Sequence, residues 1–210
     1  MHITKDASVE VRAPLKMPKR EIDKFVASKE QWISTHLVLS ERRSEERAAF
    51  TLDYGDTALL RGSPYPIPAK DSRHAGFDGE CFFIPPGLPP EDIKRAVIQT
   101  YKICAKSILT GKTAEYAKRM GVTPAAVKIN SAKTRWGSCS AKNSLNFSWR
   151  LIMAEDSVID YVVVHELAHI REHNHSKRFW AVVEDVLPDY RRRKQRLKAL
   201  QEKLSREDWG

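Results

Sequence analysis

The segment His165-Glu166-Leu167-Ala168-His169 constrains this chain more than any other stretch. It follows the run Val158-Ile159-Asp160-Tyr161-Val162-Val163-Val164, whose composition predicts a buried helix capped by Asp156 or Ser157. Residues four apart on a helix share a face one turn apart, so the imidazoles of His165 and His169 can reach a single ion. Burying two histidines and a carboxylate without a task is costly, and metal binding gives them one. Zinc suits such donors, because it takes three protein ligands and leaves a fourth position for water, whose pKa it lowers toward about 7. Glu166, adjacent to the first histidine, is placed to take that water's proton and return it to a leaving group.

A third ligand must come from elsewhere, and His173, His175 and Glu184 are the candidates. His173 falls one further turn along the helix, about 6 Å beyond His169, which carries it away from the ion. His175 follows Asn174, a residue that tolerates a left-handed turn, so the chain can reverse and bring this imidazole back. His175 is therefore preferred. Glu184, on a following helix opened by Ser176 and ended near Pro188, is the alternative. Asp160 could orient a histidine through an outer hydrogen bond or simply face solvent. Phe179, Val182, Val183 and Val186 recur at helical spacing and read as core.

The remaining chain sets limits on class. A length of 210 residues with 41% apolar content supports a buried core. No stretch approaches the roughly 18 to 20 apolar residues of a membrane span, and Met1 to Val11 is charged rather than signal-like, so a cytoplasmic location is expected. Cys81, Cys104 and Cys139 are odd in number and lack a C-x-x-C pair, which argues against a disulfide framework. The net charge of +9 favours anionic partners without choosing among them.

Alternation predicts a strand at Val9 to Arg12, and three- and four-residue spacing predicts helix from Arg20 to Arg47, broken near His36. Glycines between Phe50 and Leu88 punctuate short antiparallel strands, and Glu91 to Met120 forms a long helix stopped by Gly121 and packed behind the site. Strands follow at Lys128 to Asn130 and Ser144 to Leu151. The layout is a single α+β domain over residues 1–198, with an N-terminal strand- and helix-containing lobe (1–90), a core carrying the metal segment (91–190) and a basic helical tail (191–210).

Four stretches, Thr134-Arg135-Trp136-Gly137-Ser138-Cys139-Ser140, Leu145 to Leu151, Asp160 to His169 and Asn174 to Trp180, together resemble the YgjP-like metallopeptidase family. The resemblance is specific over about Asn130 to Tyr190, and extends to the earlier part in layout, including Lys29-Glu30-Gln31-Trp32-Ile33. It implies a zincin-like core related to SprT-like and minigluzincin proteases, an active-site helix packed on a small mixed or antiparallel sheet, and a third ligand at His175. It also implies that the Arg135 to Ser140 segment and the following strand wall the cleft, which makes Arg135, Trp136 and Asn146 the expected substrate contacts. An edge strand there would pair with an extended substrate backbone. Cys139 reads as a small buried residue rather than a catalytic thiol.

The leading expectation is thus a zinc-dependent peptidase with Glu166 as general base. The resemblance also brings a second activity, hydrolysis of a nucleoside triphosphate such as UTP to release pyrophosphate, which Arg135 or Arg150 near the cleft would favour. A third reading is weak nonspecific nucleic-acid binding by Arg191-Arg192-Arg193-Lys194-Gln195-Arg196-Leu197-Lys198, against the plainer view that this run decorates an exposed helix.

Overall fold

The computed structural model describes residues 1–4 and 8–210, leaving aside the side chain of Ile3. Its described residues form a mixed α+β arrangement of six helices and four small sheets. Two compact units divide the chain, one formed by residues 1–50 with 202–208 and 210, the other by 51–201 with Trp209. The β-hairpins after Phe50, grouped in the sequence reading with the N-terminal lobe, belong to the second unit.

In the first unit, β1 (His2–Ile3) pairs antiparallel with β2 (Val9–Glu10), and α1 (Lys19–Ala27) and α2 (Glu30–Ala49) follow. The helical break falls at Ser28-Lys29 rather than near His36. The Ser28 hydroxyl donates to Phe25 O at 2.7 Å and its N–H donates to Lys24 O, which closes α1 without glycine or proline. His36 stays helical, stacked on Trp32 with its Nδ1 2.8 Å from Trp32 O.

The second unit contains the site. A hairpin joins β3 (Thr57–Leu60) to β4 (Ser63–Pro66) through Arg61 and Gly62, both with positive φ, at 53° and 83°. Two consecutive positive φ values are the mark of the tight turn whose twist matches that of paired strands. β5 (Gly76–Phe77) pairs with β6 (Phe82–Phe83), and the long helix α3 (Pro90–Met120) ends at Gly121, which adopts the left-handed conformation at φ 62°. Ile93, Val97, Tyr101, Ala105 and Leu109 on α3 are fully buried, a helical stripe packed against the elements that follow.

β7 (Ala126–Asn130), β8 (Gly137–Cys139) and β9 (Ser144–Ser148) form a three-stranded sheet in the order β7-β9-β8. β7 runs parallel and β8 antiparallel to the central strand. β8, not singled out as a strand from its sequence, is an edge. The expected strand from Ser144 to Leu151 stops at Ser148, and Trp149–Met153 turns into a 3-10 helix in which all five side chains are buried. Full burial explains why Leu145-Asn146-Phe147-Ser148-Trp149 looked like one alternating strand, since apolar residues continue after the alternation is no longer needed.

α4 (Asp156–Ala168) is apolar nearly all round, with Ile159, Val163, Val164, Leu167 and Ala168 completely buried. It packs against α3, the 3-10 turn, β8 and α5 (Lys177–Val186). The expected cap at Asp156 or Ser157 is not used: Glu155 occupies the cap position without a side-chain cap bond, and Asp156 instead accepts from Arg61 of the hairpin turn. Ser176 does cap α5, accepting from Phe179 N at 3.3 Å. α6 (Tyr190–Leu204) completes the chain's helices. No helix among the described residues is long and apolar enough to cross a membrane.

Candidate metal centre

The end of α4 delivers the first two imidazoles. His165 lies in its last turn, and His169 sits just past Ala168 but keeps helical angles (φ −65°, ψ −18°), so the four-residue spacing still brings the two rings together on one face. Their centroids are 5.1 Å apart and nearly perpendicular. The chain then turns back. Asn174 does not take the left-handed conformation expected of it; a 2.7 Å bond from Ser176 N to Asn174 O closes a three-residue turn instead. That reversal sets His175 with its Nε2 3.0 Å from His165 Nε2.

One nitrogen from each of His165, His169 and His175 lies within 4.8 Å of the others. This is the only group of three or more ligating side chains among the described residues. His173 lines the same cleft without joining the cluster, though not because it lies one turn further along the helix: α4 ends at Ala168 and His173 sits in the bend after it. Glu184, the alternative ligand, is exposed on α5 and reaches Arg191 at 3.6 Å.

Burial prepares the two helix-end rings for coordination. Burial pushes His165 down to about 3, and the neighbouring His169 and His175 add to the effect. Burial also lowers His169, whose Nδ1 is 3.2 Å from Glu172 O. Neutral imidazole is the form that coordinates metal. The buried Nδ1 of His165 has no hydrogen-bond partner among the described residues, so the polar end this ring offers is the Nε2 that faces His175. Phe179, completely buried, floors the cluster with its ring 4.5–4.9 Å from all three imidazoles. Sequence spacing had marked it as core, and it is core that also shapes the site.

Glu166 is 6% exposed, and burial raises its carboxyl to about 7, with Arg135 pulling in the opposite direction. Its closest constraint comes from β8. A β-carbon added at Gly137 would lie 2.7 Å from both Glu166 Cγ and Oε1. Glycine at this point is what lets the strand approach the carboxylate, a requirement of the tertiary fold that no local sequence pattern carries. Gly137, Glu166 and His165 line two adjoining hollows, of about 190 and about 360 Å3.

The other expected contacts divide. Arg135 and Trp136 line the smaller hollow beside Glu166, together with Tyr161, which the sequence reading overlooked. Tyr161 is 4% exposed, sits edge-on to His165, and burial raises its hydroxyl to about 12. Asn146 lines neither hollow; it is on the central strand, opposite Ser138 and Lys128. Arg150 is buried, donating to Ser131 O and Trp209 O with its guanidinium over the Trp149 ring, and so serves the core. Asp160 neither orients a histidine nor faces solvent freely: it accepts from Lys112 at 2.6 Å and lies 3.8 Å from Arg193. Cys139 is half-buried at the cleft wall, where burial and then the charge of Glu166 keep its thiol protonated.

Three imidazole nitrogens converging beside a buried carboxylate in an open cleft are the donor set of a metal-dependent hydrolase. The chain belongs to the YgjP-like metallopeptidase domain family, whose family model matches residues 1–200. Among solved structures, the metallopeptidase zymogen abylysin of Pyrococcus abyssi is similar at 25% identity, covering 47% of this chain and 97% of that one with a TM-score of 0.41. No curated protein matches.

Proposed function

We infer that this protein is a zinc-dependent peptidase of zincin type, with His165, His169 and His175 as metal ligands and Glu166 as general base. The observation that carries the reading is the convergence of three imidazoles within 4.8 Å, beside a buried carboxylate that burial raises to about 7. A zinc ion held there supplies a Lewis acid for the scissile carbonyl and lowers the pKa of water.

The rest of the chemistry belongs to the chain's own residues. Burial raises the Glu166 carboxyl toward the neutral range, which suits it to accept a proton from water and pass it to the departing amine. Gly137 leaves room for that carboxylate, and Phe179 excludes water from beneath the histidines. β8, free along the side away from β9, offers backbone N–H and C=O groups to an extended peptide. Arg135, exposed at the cleft, is placed to contact substrate. Nucleotide hydrolysis has less support, because Arg150 is committed to main-chain carbonyls.

The test is an assay of purified protein on a casein-type substrate and on UTP, with and without chelator. Chelator-sensitive peptide cleavage is expected, together with its loss in Glu166→Gln at unchanged zinc content. Pyrophosphate release from UTP without peptide cleavage would replace the peptidase reading.

A further inference from the structure

Beyond the hollow that contains Glu166, a groove of about 740 Å3 runs along α6. Its size is in the range of sites that enclose a ligand, and it is continuous with the catalytic cleft through two shared wall residues, Trp136 and Leu197. Its floor is aromatic. Trp180 and Tyr190 stack at 5.2 Å with an angle of 17°, and Trp136 also lines the groove. Its rim is cationic, and the cations differ in their commitments.

Arg192 and Arg193 of α6 pair with Asp189, and Arg196 with Glu155, all away from the groove lining. Lys194 and Lys198 line the groove, and neither pairs with a carboxylate among the described residues. The Lys194 ammonium instead stands 5.2 Å over the Trp180 ring. Of the groove-lining cations, Arg191 is paired with Glu184 at 3.6 Å, and Lys194 and Lys198 leave the groove side positive. An aromatic floor beneath two ammonium groups complements a flat apolar side chain adjoining a carboxylate.

We propose that this groove is a specificity subsite for the peptide substrate, taking an aromatic residue on Trp180 and Tyr190 and a neighbouring acidic residue on Lys194 and Lys198. The proposal rests on the peptidase reading for the identity of the substrate, but the binding it describes is measured without turnover. Two exposed cations contribute roughly a three- to tenfold preference, and salt weakens it.

The experiment uses the zinc-loaded Glu166→Gln protein and three peptides identical except for a central Phe-Glu, Phe-Lys or Ala-Glu pair, with affinities read from the quenching of tryptophan fluorescence and from calorimetry. The Phe-Glu peptide is expected to bind roughly three- to tenfold tighter than each of the others at low salt. Adding Lys194→Gln and Lys198→Gln is expected to erase the Glu-over-Lys preference while the Phe-over-Ala preference persists. Equal affinities for the three peptides would overturn the proposal, as would a charge preference that survives both lysine substitutions. So would lysine-dependent binding of UTP with no peptide binding, which would assign the groove to a nucleotide. Absence of cleavage by the unsubstituted protein, with peptide discrimination intact, would instead reject the proposed catalysis and leave the subsite standing.

Discussion

Gly137 and Glu166 share one small volume, and this pairing sets how finely the carboxylate is placed. A methyl group at position 137 would force Glu166 away from its present position, since the contacting atoms include Cγ and the carboxyl carbon as well as an oxygen. Misplacement of a catalytic group by about 1 Å costs on the order of a hundredfold in rate. Gly137→Ala is therefore expected to lower kcat by about tenfold to a hundredfold with zinc content unchanged, measured by steady-state kinetics beside metal analysis. Equal activity would mean that Glu166 has freedom the packing denies it. At this scale the sequence was informative where chemistry is local. The four-residue spacing brought His165 and His169 together as expected, and His175 returned by a chain reversal, although through a different turn from the one foreseen at Asn174. Gly137 and Tyr161 were not legible, because their roles arise where β8 and α4 meet residues distant in the chain.

The elements around the site are joined by specific turns. Gly62 has φ 83°, and a β-carbon there would come within 3.0 Å of the Glu155 backbone, so Gly62→Ala combines a strained conformation with a clash. A loss of about 1–3 kcal/mol is expected in denaturant unfolding. The neighbouring Arg61 donates to Asp156 at the start of α4, and this bond, aided by Lys112 and opposed by burial, holds the Asp156 carboxyl below its ordinary range. A carboxylate lowered by folding contributes stability above its unfolded value of about 3.9, and that contribution disappears as pH falls through the folded value. Asp156→Asn is accordingly expected to flatten the fall in melting temperature below about pH 4. An unchanged acid limb would assign that fall to other carboxylates. Element boundaries explain the limits of the sequence reading here. α3 ended at Gly121 as expected because glycine supplies the left-handed cap directly, whereas β9 gave way to a 3-10 turn inside a run that is apolar throughout.

Across the whole molecule, the feature hardest to read in advance was α6. Its basic run looked like a solvent-facing tail, yet Leu197 lines the hollow beside Glu166, and Arg193 ties to Asp160, Asp189 and Ser157 O near the start of α4. Charge patterning identified a helix but not its distant partners, Glu155 for Arg196 and Asp160 for Arg193. The α+β class followed from the sequence, while the order β7-β9-β8 depended on pairing that only the folded chain reveals. Ligand binding to the native state alone stabilises by about 2.7 kcal/mol at a hundredfold excess over Kd, so chelation is expected to lower the melting temperature by a few degrees and zinc to restore it. A melting temperature indifferent to both would place the ion outside the folded structure.

Metal content measures the central claim most directly. Protein purified without added chelator, and the His175→Ala variant prepared alongside it, would be analysed for zinc after dialysis. About one ion per chain is expected for the unsubstituted protein, with a large loss in the variant, whose remaining two imidazoles make an incomplete site. The same zinc content in both, or none in either after incubation with excess zinc, would contradict the account.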